Sequence, residues 1–108
     1  MQLSFSWGDI PLCTTGRPNI VPNPRFTLTG VPEGTERVTF RLTDLDVPAY
    51  DHGGGSVEIT GDGEIAPGAF TYKSPCPPRG SHTYEWEARA MAGDRVLATA
   101  RAAQDYPA

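Results

Sequence analysis

A chain of 108 residues with a net charge of −4 and a pI near 5.0 has room for one domain with a real core, and none for two. Its nine Lys and Arg residues are scattered, so the basic face that nucleic-acid phosphates require is not indicated. No stretch approaches the roughly 20 apolar residues of a membrane-spanning helix.

Met1 leads straight into the amphipathic Gln2-Leu3-Ser4-Phe5, without the basic start and apolar run of a secretory leader. That favours a cytoplasmic setting. Two cysteines, Cys13 and Cys76, are too few for a four-ligand metal site. They can form one disulfide in an exported chain or remain two thiols in a cytoplasm. Free cysteine is commonly buried as a small apolar residue, which tilts the expectation toward thiols.

Twelve glycines and eleven prolines break long helices and suit short strands joined by turns. Leu3-Ser4-Phe5-Ser6-Trp7 alternates apolar and polar as a half-buried strand does. Residues 8–24 read as irregular, with Pro11, Gly16, Pro18, Pro22 and Pro24. Phe26 to Thr29 is a short alternating strand, and Val31-Pro32-Glu33-Gly34-Thr35 is turn chemistry. Val38 to Thr43 alternates best, burying Val38, Phe40 and Leu42. Val57-Glu58-Ile59 is a further short strand, closed by Gly61-Asp62-Gly63. Tyr84 to Ala90 turns Tyr84, Trp86, Ala88 and Ala90 inward and Glu85, Glu87 and Arg89 outward.

The alanine-rich end, Arg95 to Gln104, suits a helix on propensity alone. Ala92-Gly93-Asp94 signals a tight turn after a strand, so a closing hairpin is the better reading. About five to seven short strands at this spacing predict an all-β, antiparallel β-sandwich with Pro/Gly-rich loops, little or no helix and one domain over 1–108.

Chemistry concentrates in three loops. Asp44 and Asp46 follow the best strand at i, i+2 and point the same way if the chain stays extended. Taken alone, each is an ordinary strand-terminating aspartate satisfied by backbone N–H groups. His52 precedes Gly53-Gly54-Gly55, which reads either as a flexible surface loop or as a backbone cradle for an anion. In Ser74-Pro75-Cys76-Pro77-Pro78-Arg79-Gly80-Ser81-His82-Thr83-Tyr84, three prolines fix φ and remove donors, and Gly80 turns the chain. That loop delivers His82 to the mouth of a strand.

Both histidines of the chain thus lie at predicted strand boundaries in Gly- or Pro-rich segments. With the acidic pair they make a mixed-charge pocket in which carboxylates would raise the imidazole pKa. Imidazolium suits phosphate and carboxylate suits ammonium. A metal on Asp44, His52 and His82 is a legitimate set, but helical HExxH spacing and cysteine pairs are absent. Gly-x-Ser-x-Gly, Rossmann and P-loop fingerprints are absent as well.

These residues resemble the phosphatidylethanolamine-binding protein family, also called the Raf kinase inhibitor-like family. Gly30-Val31-Pro32-Glu33-Gly34-Thr35 is similar to its "GVPEGT" turn, and Asp44-Leu45-Asp46-Val47-Pro48 to its "DPDAP" element. His52 stands where a histidine follows that element, and 74–84 is similar to "GPCPPxGxHxY". Leu45 replaces a motif proline, Ser74 a glycine, and glycines follow His52. Between Met91 and Arg95, where longer relatives insert helices, only a turn remains.

The resemblance implies a β-sandwich with a small anion pocket formed by Asp44, Asp46, Pro48, His52, Pro75, His82 and Tyr84. It implies a non-enzymatic module without cofactor or metal, binding a phosphate-bearing or other small anionic group such as a phospholipid head group. The alternative is a protein-binding or inhibitory domain, kinase or protease inhibitor-like, with a vestigial pocket. A metal-dependent hydrolase ranks last.

Overall fold

The computed structural model describes residues 1–108 and contains nine strands and no helix. A four-stranded antiparallel sheet carries the order β5 (Asp51–Glu58), β4 (Arg37–Asp44), β8 (His82–Ala92), β9 (Arg95–Tyr106). A second antiparallel sheet runs β1 (Gln2–Phe5), β3 (Phe26–Thr29), β6 (Gly63–Ile65). A two-stranded ribbon joins β2 (Ile20–Pro22) to β7 (Thr71–Lys73). No helix is long and apolar enough to cross a membrane.

Strict alternation builds the core. In β4, Val38, Phe40 and Leu42 are buried, and in β8 so are Tyr84, Trp86, Ala88 and Ala90. The register places Leu42 opposite Trp86 and Phe40 opposite Ala88, a large residue facing a small one in the second pair. From the other sheet, Phe26 stacks on Phe40 at 4.4 Å between ring centroids and meets Trp86 edge-on at 5.1 Å. The two sheets therefore share one 15-residue apolar cluster, the arrangement of a β-sandwich.

Several elements differ from the sequence reading. β1 stops at Phe5; Trp7 leaves the strand, packs edge-on against Tyr84 and Tyr106, and donates its indole N–H to Asp105 O at 3.1 Å. The short β2, β6 and β7 escape a periodicity reading, because three residues cannot display a period. The glycine run is no loop. Gly53 to Gly55 lie inside β5, with Gly54 opposite Arg41 and Gly55 opposite Phe40.

A side chain would not fit at Gly54 or Gly55. A Cβ on Gly54 would stand 1.8 Å from Phe40 O, and one on Gly55 2.4 Å from the Phe70 ring. The glycines thus serve close backbone approach beside a register shift between Arg41 and Thr43. At the C-terminus the hairpin forms. β9 pairs with β8 along its length, because the turn at Gly93-Asp94 sets the alanine-rich segment beside an open ladder. Tertiary pairing overrides helix propensity here.

Candidate functional site

The prolines and aspartates that end β4 and precede β8 meet at one end of the four-stranded sheet. They enclose a cleft of about 230 Å³ lined by Asp44, Tyr50, His52, His82 and Tyr84, with Gly16, Pro18 and Cys76–Pro78 as the facing wall. Val47 lies at its edge.

Asp44 organises the floor. It closes β4, and its Oδ1 accepts N–H bonds from Asp46 at 2.9 Å and Val47 at 3.2 Å, the hydrogen bonding of an Asx-turn. Its Oδ2 lies 2.7 Å from His82 Nδ1, with the carboxylate 6% and the imidazole 20% exposed. A donated Nδ1–H leaves His82 Nε2 for other partners. Tyr84, on the same face of β8, sits beside the Asp44 carboxylate and the Cys76 main chain. Burial, then the negative charge of Asp44, pushes the Tyr84 hydroxyl far above its ordinary value, so it stays a protonated donor.

His52 comes from the start of β5. Its Nδ1 lies 2.8 Å from Lys73 O, an acceptor, which fixes the proton on Nδ1 and leaves Nε2 as the free nitrogen. The ring is held edge-on between Tyr50 at 4.7 Å and Tyr84 at 5.4 Å. Burial lowers its pKa below 6.5; the Lys73 carbonyl, Asp44 and Asp51 only partly oppose this. The expectation that carboxylates would raise it is reversed at His52, because desolvation outweighs them.

The wall is covalent. Cys13 and Cys76 form a disulfide with Cα atoms 4.6 Å apart, which corrects the expectation of two thiols. The fold lays the irregular segment before β2 against the proline loop, bringing the two sulfurs together. Thr15 N donates to Cys76 Sγ at 3.3 Å, Gly16 N to Cys76 O at 3.1 Å, and Cys13 N to the Tyr106 hydroxyl at 3.1 Å.

Of the residues expected at the site, Asp44, His52, His82 and Tyr84 converge on the cleft. Asp46 stands beside them but accepts from Thr83 N at 2.9 Å through Oδ2, pinning the loop to β8. Pro48 is exposed on that loop, and Pro75 is fully buried behind the wall; neither lines the cleft. Both act on loop shape. Tyr50 and the 16–18 segment were not signalled by any local pattern, since they reach the site from opposite sides.

Ligand atoms of Asp44, Asp46 and His82 lie within 4.8 Å of one another. The carboxylates already accept backbone N–H bonds, and His82 Nδ1 is taken by Asp44. The trio thus caps the loop after β4 and ties it to β8. His52 stands outside it, so the Asp44, His52, His82 ligand set is not assembled. No protein-family profile, curated protein or solved structure matches this chain.

Proposed function

We propose that the cleft is a non-enzymatic binding site for a small phosphate-bearing or other anionic group, as the resemblance to phosphatidylethanolamine-binding proteins implies. The observation that carries the reading is the convergence of His52 and His82 on one cleft, each with a ring nitrogen left over. The Tyr84 hydroxyl, engaged with Asp44 and the Cys76 main chain, keeps the floor between them in place. His52 Nε2 accepts from a protonated phosphate oxygen or, once protonated, donates to a bare one. His82 presents Nε2 from a ring held in place by Asp44.

The make-up of the lining supports a binding module over an enzyme that uses a hydroxyl, thiol or amine nucleophile. The residues lining the cleft include no Ser, Thr or Lys, and Cys76 is in a disulfide. Ser74 Oγ is occupied by Asn19 N–H, and Ser81 Oγ donates to Pro107 O.

Sulfate is the clean probe, since it stays doubly charged where phosphate titrates near pH ~6. Calorimetric titration should show sulfate binding that strengthens as pH falls through the lowered His52 pKa, as that imidazole acquires charge. His82→Ala and His52→Ala should each weaken it. Equal affinity in all three proteins would remove the histidines from any anion site.

A further inference from the structure

Three of the nine cationic residues adjoin the lining of this cleft. Arg17 lies between Gly16 and Pro18, both of which line the cleft, and Arg79 follows Pro78, which also lines it. Gly16 packs on Pro78, with its missing Cβ position 3.6 Å from the proline ring, so the two arginines flank one contact. Lys73 stands at the other wall: its carbonyl accepts from His52, and its Nζ rests 5.6 Å from the centroid of the Tyr50 ring. All three side chains are exposed, and none takes part in an ion pair.

The neighbouring acids are differently placed. Asp44 and Asp46 accept backbone N–H bonds, and Asp51 accepts from Gly53 N and pairs with Arg41 at 3.3 Å. Local carboxylates thus have hydrogen-bond partners, while Arg17, Lys73 and Arg79 have no carboxylate partner. Inside the cleft there is no Lys or Arg at all. A cleft with its fixed positive charge outside rather than within is suited to a ligand whose charge extends beyond the pocket.

We propose that Arg17, Lys73 and Arg79 form a cationic collar that holds a second anionic group of the ligand at the cleft mouth. The inference rests on the anion-binding reading of the cleft and narrows it to ligands with two phosphate-like groups close together. Lys73 leaves the Tyr50 face to meet the outer group, exchanging a cation–π contact for a charge-assisted hydrogen bond. The second group comes from the same soluble molecule or from a neighbouring head group on a membrane surface.

Calorimetry at low salt with inorganic phosphate and with pyrophosphate separates the two levels. Wild type should prefer pyrophosphate by about 10-fold or more, the size of one good charge-assisted contact. Arg17→Ala/Arg79→Ala and Lys73→Ala should each erode that preference while changing phosphate affinity by less than about threefold. His52→Ala should weaken both anions together. Vesicles of phosphatidylcholine containing phosphatidic acid form the second arm, read by co-sedimentation of wild type and the collar variants.

Collar-dependent pyrophosphate preference or collar-dependent vesicle binding supports the proposal, and which of them appears identifies the source. Phosphate binding that needs His52, with no collar-dependent effect in either arm, overturns the collar and leaves the cleft standing. Failure of phosphate, pyrophosphate and vesicles alike to bind wild type overturns both.

Discussion

The sandwich interior and the cleft end are held together by different physics. Inside, Phe26, Phe40, Phe70 and Trp86 interlock through stacked and edge-on rings, and the stabilisation is burial of apolar area that no one contact dominates. At the cleft, a 14-residue segment with no strand of its own, residues 6–19, is tied down by a disulfide and a few directed hydrogen bonds. The first kind of order tolerates changes of detail but not of volume. The second places individual atoms, and fails one tie at a time. A binding cleft needs the second kind, set on a platform made by the first.

The largest effect should come from breaking the platform. Trp86 is fully buried at the centre of the ring cluster. Trp86→Ala removes the common partner of Phe26, Phe70 and Tyr72, at a cost of about 3–5 kcal/mol. Urea unfolding should show that loss, with both core and cleft disappearing in one transition. A midpoint close to wild type would show that the inter-sheet contacts contribute little.

Next in size is the covalent tie. The Cys13–Cys76 bond closes a sequence separation of 63 residues, and losing such a link costs about 2–4 kcal/mol. In the Cys13→Ser/Cys76→Ser protein, hydrogen exchange should separate the regions. The amides of Thr15 and Gly16, which bond to Cys76, should exchange much faster, while those of β4 and β8 slow exchange as in wild type relative to global stability. Uniform acceleration across both regions would deny the cleft wall any independence.

How much of this was legible in sequence follows the same division. Period-two alternation exposes Val38, Phe40, Leu42 and the inward face of β8, because each strand writes its own burial pattern. Asp44, His52, His82 and Tyr84 were legible as a group because turn residues and both histidines mark strand ends. The pairing of Cys13 with Cys76 was not, nor was the approach of Gly16 to Pro78. Those contacts join segments some 60 residues apart, and no local pattern encodes which irregular segments will touch. Asn23 shows the same blindness. It is buried, its amide donating to Pro24 O and Ala66 O while its carbonyl accepts from Gly68 N and Phe70 N. In sequence it is one polar residue in a proline-rich loop.

Gly54 sits where the two regions adjoin, and it sharpens the contrast. A methyl group there must displace the main chain of β4 at Phe40, only a few residues before Asp44. Gly54→Ala should cost about 1–3 kcal/mol, as overpacking does. Gly61→Ala, which meets nothing within 4 Å, is the matched control and should leave stability nearly unchanged. Equal melting temperatures for the two variants would mean that β5 yields without strain.

The smallest effect is a proton. Burial lowers the His52 pKa from 6.5, against the Lys73 carbonyl and the charges of Asp44 and Asp51, with the Lys73 ammonium adding to the depression. The unfolded chain therefore takes up a proton at His52 near pH ~6.5, where the folded chain still resists one. In that window the unfolded state holds more protons, so unfolding free energy rises with pH. The stabilisation from a neutral His52 is complete above the unfolded value and is lost as pH falls through the lowered folded value. Urea midpoints taken between pH 7.5 and 5.5, above the range in which ordinary carboxylates titrate, should decline on acidification. His52→Gln keeps an N–H for Lys73 O but cannot titrate, so its profile should be flatter than wild type. Sulfate should oppose the decline in wild type, because a bound anion favours the protonated ring. Parallel profiles for the two proteins would place the acid sensitivity outside the cleft and leave His52 as a packing residue between two tyrosines.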